Sequence, residues 1–141
     1  MTDIEESSTS GPGPIPESDK WIDCQDARVR FYARSSAVVL VAVSGQVDAA
    51  NAETVSHHIH RSVPIGRPVV VDISDVTFLS LEGVRLLRAF GDECAAAGIP
   101  WVLVISRAVT SLPAVLDPAD GLPVAGSLGE GLGRLAADRI T

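Results

Sequence analysis

The sequence predicts an α/β fold: a mixed, mostly parallel β-sheet of about four to five strands with about four α-helices. Three observations carry that expectation. Short β-branched runs at residues 37–43, 69–73 and 101–105 recur along the chain, each with the near-continuous apolarity of a strand buried on both faces. Between them lie segments of helical periodicity, and alternating strands and helices imply right-handed crossovers. The core must also be aliphatic, because 46% of residues are hydrophobic but only 4% aromatic.

The elements follow in order. Residues 1–19 are rich in Ser, Thr, Gly, Pro and acidic side chains, with almost nothing to bury, and are expected to form a disordered tail. Residues 20–141 form the expected single domain. The alternation from Arg28 to Ala33 predicts an edge strand, and Ser35-Ser36 turns the chain into the run at 37–43, which Ser44-Gly45 is expected to end. Ala52, Val55 and Ile59 share one stripe of a helix over 51–62, broken by Pro64, Gly66 and Pro68. After the strand at 69–73, Val84, Leu87, Phe90, Cys94 and Ala97 mark a second helix closed by Gly98 and Pro100. The strand at 101–105 is followed by a short helix over 109–116, then by a short strand from Pro123. Ser127-Leu-Gly-Glu130 has capping-box spacing and opens a last helix through Ala137.

Charge and composition exclude several function classes. A net charge of −7 with one lysine, Lys20, and scattered arginines argues against nucleic acid as a partner. The N-terminus lacks a basic segment followed by an apolar run, so no signal peptide is expected, and no apolar run is long enough to insert directly in a membrane. A cytoplasmic, reducing setting is the resulting expectation. Cys24 and Cys94 match no zinc spacing. They stand either as a redox-sensitive pair or as small core residues. His57, His58 and His60 cluster on the first helix, but no third acidic or thiol ligand stands at a convincing spacing, so neither a metal nor any other cofactor is expected. Gly129-Glu-Gly-Leu-Gly133 lacks the Lys-Ser/Thr of a phosphate loop, and no Gly-x-Ser-x-Gly or other nucleophile–base pattern marks an enzyme.

Three stretches carry a family resemblance: Gly45-Gln-Val-Asp48, the run from Val69 through Asp72-Ile-Ser-Asp-Val-Thr-Phe78, and Glu82-Gly83-Val84 opening an amphipathic helix. Together with the strand at 101–105, they resemble the STAS domain over residues 28–137. That family includes anti-sigma factor antagonists and the cytoplasmic domains of sulfate transporters. The resemblance implies the STAS fold, with helices mostly on one side of the sheet. In the phosphorylatable antagonists the loop before this helix reads roughly Asp-Ser-Ser-Gly-Leu, and the serine before the glycine accepts phosphate from an anti-sigma factor that is also a kinase. Here the matching residues are Ser80, Leu81, Glu82, Gly83 and Val84. The phosphoacceptor position is therefore occupied by Glu82.

Physical chemistry gives this loop two readings. Ser80 suits an N-cap, and Glu82 in the first turn gains about 0.3–1 kcal/mol from the helix dipole. A glutamate carries about one negative charge, against roughly −1.5 to −2 for phosphoserine, so Glu82 imitates a phosphorylated site only in part. Either it fixes a phosphorylated-like surface outside kinase control, or it merely stabilises the helix. Asp48 likewise reads as a partner contact or as an Asx turn at a helix start; Asp72 reads as structural. The resemblance implies a partner-binding surface formed by Asp48, Ser80, Leu81, Glu82, Gly83 and Arg85, with Ser106 and Arg107 near the same rim. The expected partner is a kinase-type anti-sigma factor, and the alternative is a membrane transporter subunit served by a stand-alone accessory domain.

Overall fold

Sheet order and chain order coincide. The structure, a computed structural model, describes residues 21–35, 38–105 and 122–140. Within them run β1 (Ile22–Cys24), β2 (Ala27–Ser35), β3 (Val38–Val47), α1 (Ala52–His60), a 3-10 turn (Val63–Ile65), β4 (Val69–Leu79), α2 (Leu81–Ala97), β5 (Trp101–Val104), β6 (Val124–Ala125) and α3 (Leu128–Ile140). The six strands pair in that sequence to form one sheet. β1–β2 and β2–β3 are antiparallel hairpin pairs, whereas β3–β4, β4–β5 and β5–β6 are parallel. The α/β expectation holds. The sheet gains β1, which pairs outside β2, so the segment from Arg28 is not the edge strand that its alternation suggested. The expected tail, the helix at 109–116, Ser106 and Arg107 lie outside the described residues.

The alternation of the strands divides the core in two. Val29, Val41, Val71 and Leu103 face one side and join Val55, Ile59, Val84, Leu87 and Phe90 from α1 and α2. Leu40, Val70, Val102 and Val104 face the other side and join Leu135 of α3. Two helices thus cover one face of the sheet and α3 covers part of the other. The near-continuous apolar runs are explained by this double coverage.

Glycines permit two of the closest approaches. A side chain at Gly131 would meet Val102 Cγ1 at 2.8 Å, so within the glycine-rich stretch at 129–133 it is Gly131 that seats α3 on β5, while a Cβ at Gly133 would meet open space. Gly45 lies inside β3 with φ 92°, and a Cβ there would strike the Asp26 carbonyl. Ser44-Gly45 therefore bends the strand rather than ending it, and pairing with β4 continues to Val47. The last helix has the Ser127 cap its spacing predicts, Glu130 N donating to Ser127 Oγ at 3.1 Å, but the return bond is displaced by one residue, Glu130 Oε1 accepting from Gly126 N at 3.0 Å.

Gly45→Ala should destabilise the domain by about 3 kcal/mol or more in urea unfolding, combining backbone strain with a steric clash. Gly66→Ala, at φ 78° but in open space, should cost only about 1 kcal/mol.

Candidate protein-binding site

Two extra residues in β4 build the site. β3 and β4 pair in steps from Val39↔Val69 to Ala42↔Asp72, then shift by one residue at Ser44↔Asp75 and by another at Gln46↔Phe78. Each shift is a bulge that accommodates an extra β4 residue. Asp72 Oδ1 secures the first, accepting from Ser74 N at 2.9 Å and from Ser74 Oγ at 2.6 Å. Asp72 is thus structural. Across both bulges the inward side chains are Ile73, Val76 and Leu79, at a spacing of three instead of two.

At the end of the ladder, Ser80 N donates to Val47 O at 2.8 Å. This bond brings the loop after β3 beside the loop after β4. Asp48, Ser80, Leu81, Glu82 and Gly83 therefore share one rim of the sheet. The rim belongs to the carboxyl ends of parallel strands, where open α/β sheets place their functional loops.

Each loop is rigidly built. Asp48 Oδ1 accepts from Ala50 N at 2.9 Å and Asn51 N at 3.0 Å, forming the Asx turn that starts α1. Asn51 answers reciprocally, its Oδ1 accepting from Asp48 N at 2.9 Å. Its Nδ2 donates to Cys24 O at 3.0 Å and Gln46 O at 2.9 Å. Only 1% exposed, Asn51 ties the β1–β2 hairpin, β3 and the start of α1 together. Helical periodicity places Asn51 simply at the helix start; the reciprocal Asp-x-x-Asn spacing is the signal in the sequence that points to more.

The α2 loop matches its predicted cap. Ser80 is extended at φ −76°, ψ 167°, and its Oγ accepts from Gly83 N at 3.1 Å. Gly83 is buried against Leu79 and Val47, and a Cβ would lie 2.6 Å from Leu79 Cδ1. Its place in the motif thus has a packing cause. Leu81, Glu82 and Arg85 are exposed, with Glu82 in the first turn where the dipole favours its charge.

The remaining candidates are part of the scaffold. His60 Nε2 lies 2.9 Å from Glu93 Oε1, tying α1 to α2, and its ring stands edge-on to Phe90 at 5.4 Å. Burial, followed by the Arg61 and His57 charges, lowers the His58 pKa. Among the described residues, no group of three His, Cys, Asp or Glu side chains is arranged to hold a metal. Cys24 and Cys94 are free, buried thiols in the larger core cluster. Burial, reinforced by Asp23, raises the Cys24 pKa, and burial with Glu93 pushes Cys94 up to about 11.

Comparisons with known proteins agree with this architecture. Residues 31–111, more than half of the chain, match the STAS domain, and the chain belongs to that family. Osmosensory protein A of Mycobacterium tuberculosis is 39% identical over 88 residues, which cover 62% of this chain and 55% of that protein. The chain thus spans little more than half the length of that relative. The fold is similar to that of an anti-sigma factor antagonist from Mycobacterium paratuberculosis, with a TM-score of 0.68, 23% identity, and coverage of 86% of this chain and 97% of that one. It is also similar to the anti-sigma factor antagonist SpoIIAA in its unphosphorylated form, at TM-score 0.59, 16% identity, and coverage of 77% and 96% respectively. Among the described residues no helix is long and apolar enough to cross a membrane.

Asn51→Ala should cost about 2–4 kcal/mol in chemical denaturation, because two inward carbonyls lose their donor. Ser80→Ala should cost about 1 kcal/mol through loss of the cap. The cysteines give a pH signature. Their thiols hold protons in the folded state at pH values where the unfolded chain, with a thiol pKa of roughly 8.5, has released them. The Cys94 contribution is complete below about pH 8 and declines as pH rises toward 11. Urea midpoints measured from pH 8 to 10.5 should therefore fall more steeply for the native protein than for Cys94→Ala, and native Cys94 should resist a thiol-reactive disulfide at pH 8.

Proposed function

We propose that this chain is a regulatory protein-binding domain, an anti-sigma factor antagonist that sequesters an anti-sigma factor at the rim formed by Asp48, Ser80–Gly83 and the exposed start of α2. The observation that carries the reading is the Ser80 N to Val47 O bond, which unites two rigid loops into one continuous surface. Its outward residues, Leu81, Glu82 and Arg85, have no evident structural duty in the core. One carboxylate oxygen of Asp48 is engaged in the turn, and the other is the atom proposed to meet the partner. The fold shared with anti-sigma factor antagonists supports the assignment. Among the described residues, nothing at the rim assembles a nucleophile with a base, so recognition, not catalysis, is the activity proposed.

Glu82 removes kinase control. A carboxylate offers no hydroxyl to accept phosphate, and its single charge is weaker than that of a phosphoserine. The domain is read as binding-competent without dephosphorylation. The name of Osmosensory protein A makes osmotic stress the stimulus to examine first.

The test is calorimetric binding of the purified domain to anti-sigma factors encoded in the same genome, with and without ATP. The native protein should bind one of them, and ATP should leave that binding unchanged. Glu82→Ser should bind the same partner but lose affinity when a kinase-type partner and ATP are present. Binding by Glu82→Ser alone would show that Glu82 holds a non-binding state. Failure of both proteins to bind any of the anti-sigma factors would overturn the antagonist reading.

A further inference from the structure

Large apolar side chains among the described residues are hidden everywhere except at the rim. Among the described residues, the exposed large hydrophobics are Phe78, 43% exposed, and Leu81, 56% exposed. Single exposed leucines need no explanation. These two, however, fall within four consecutive residues, flanking Ser80 at the joint between β4 and α2.

Local structure does not require either of them. The helix start is already secured by Ser80 Oγ on Gly83 N. The apolar positions before and inside the first turns are filled by Leu79 and Val84, both buried in the main core. Phe78 is turned outward by the second β4 bulge, where Gln46↔Phe78 resumes pairing while Val76 and Leu79 point inward. Leu81 occupies the first helical position, where a small or polar residue would serve the helix equally well.

The charges beside them have one dominant sign. Glu82 follows Leu81 directly, Asp75 is exposed three residues before Phe78, and the chain carries a net charge of −7. Glu82 has no ion-pair partner among the described residues. Arg85, one turn along α2, is the nearby exposed cation.

We infer that Leu81, supported by Phe78, is an apolar anchor that enters a hydrophobic pocket on a partner protein, and that the mouth of this pocket carries Arg or Lys to meet Glu82. This deepens the proposed function and rests on the rim being the partner surface. An apolar anchor contributes most when it is fully desolvated near the centre of an interface, while a charge at the mouth contributes mainly to association rate and salt dependence. Specificity then lies in an apolar knob beside a carboxylate.

A displayed random-peptide library, selected against the full chain, tests this even while the partner is unidentified. Selected peptides should place Leu, Phe or Met beside Arg or Lys. Their affinity should fall about tenfold or more with Leu81→Ser, and about two- to fivefold with Glu82→Gln, with a weaker salt dependence in that variant. Both variants are at exposed positions, and unchanged thermal midpoints should confirm that they fold. Peptides indifferent to Leu81→Ser, an acidic consensus, or no enrichment at all would overturn the inference. Leu81-dependent basic peptides without anti-sigma factor binding would uphold this anchor and sink the antagonist reading. An anti-sigma factor that binds the native domain and Leu81→Ser equally would do the reverse.

Discussion

The β3–β4 ladder places two more residues on β4 than on the β3 segment opposite, and the geometry of the rim depends on that mismatch. The register begins with Val39 beside Val69 and ends with Val47 beside Leu79. In a regular strand, residues Ile73, Val76 and Leu79 could not all face the same layer, because side chains alternate with a period of two. The bulges reset the alternation twice, so three core anchors stay inward while Asp75 and Phe78 remain at the surface. The same offset delivers Ser80 N to Val47 O. Without it, α2 would start at a different height above the sheet, and the two loops would not share an edge.

Polar groups hold this arrangement in place. Asp72 satisfies backbone and side-chain donors of Ser74 at the first bulge, where ladder bonding is interrupted. Asp48 and Asn51 exchange bonds across the start of α1, and Asn51 carries the constraint inward to β1 and β3. Buried amides of this sort are stabilising only when fully partnered, and the Asn51 side chain uses both its oxygen and its nitrogen. The rim is consequently stiff. A stiff surface loses little conformational freedom on binding, which favours a recognition role over one that depends on loop closure.

Much of this is legible in the sequence, and the exceptions have physical causes. Continuous aliphatic runs mark the central strands, and the stripe from Val84 to Cys94 marks α2 with its Gly98 terminator, which is left-handed at φ 71°. The cap at Ser80 and the box at Ser127 follow from spacing alone. β1 escapes notice because three residues are too few to show a period. The second half of β4 is hidden because bulges destroy the alternation by which strands are recognised, so Ser74 to Thr77 resembles a loop. Gly45 misleads for a related reason: its positive φ bends a strand that continues. At the site, the role of Asn51 is concealed because its partners lie on β1 and β3, contacts that no local pattern encodes. Phe78 is a large apolar residue of the kind usually buried, and only the second register shift reveals that it faces outward.

Under the proposed function, Leu81 and Glu82 of the rim loop act together rather than one at a time. Glu82 gives the loop a fixed charge that is about half to two-thirds that of a phosphoserine. Charge of that size on an exposed helix start contributes little affinity by itself, since solvent and salt screen it. Leu81 supplies what the carboxylate lacks: apolar area worth roughly 25 cal/mol per Å² once buried against a partner. The carboxylate in turn supplies what a leucine lacks, a directional preference for cationic pockets. If the proposed function holds, this pairing regulates by abundance and partner choice instead of by phosphorylation state, and the hydrogen-bonded β3–β4 joint beneath it is the platform that presents it.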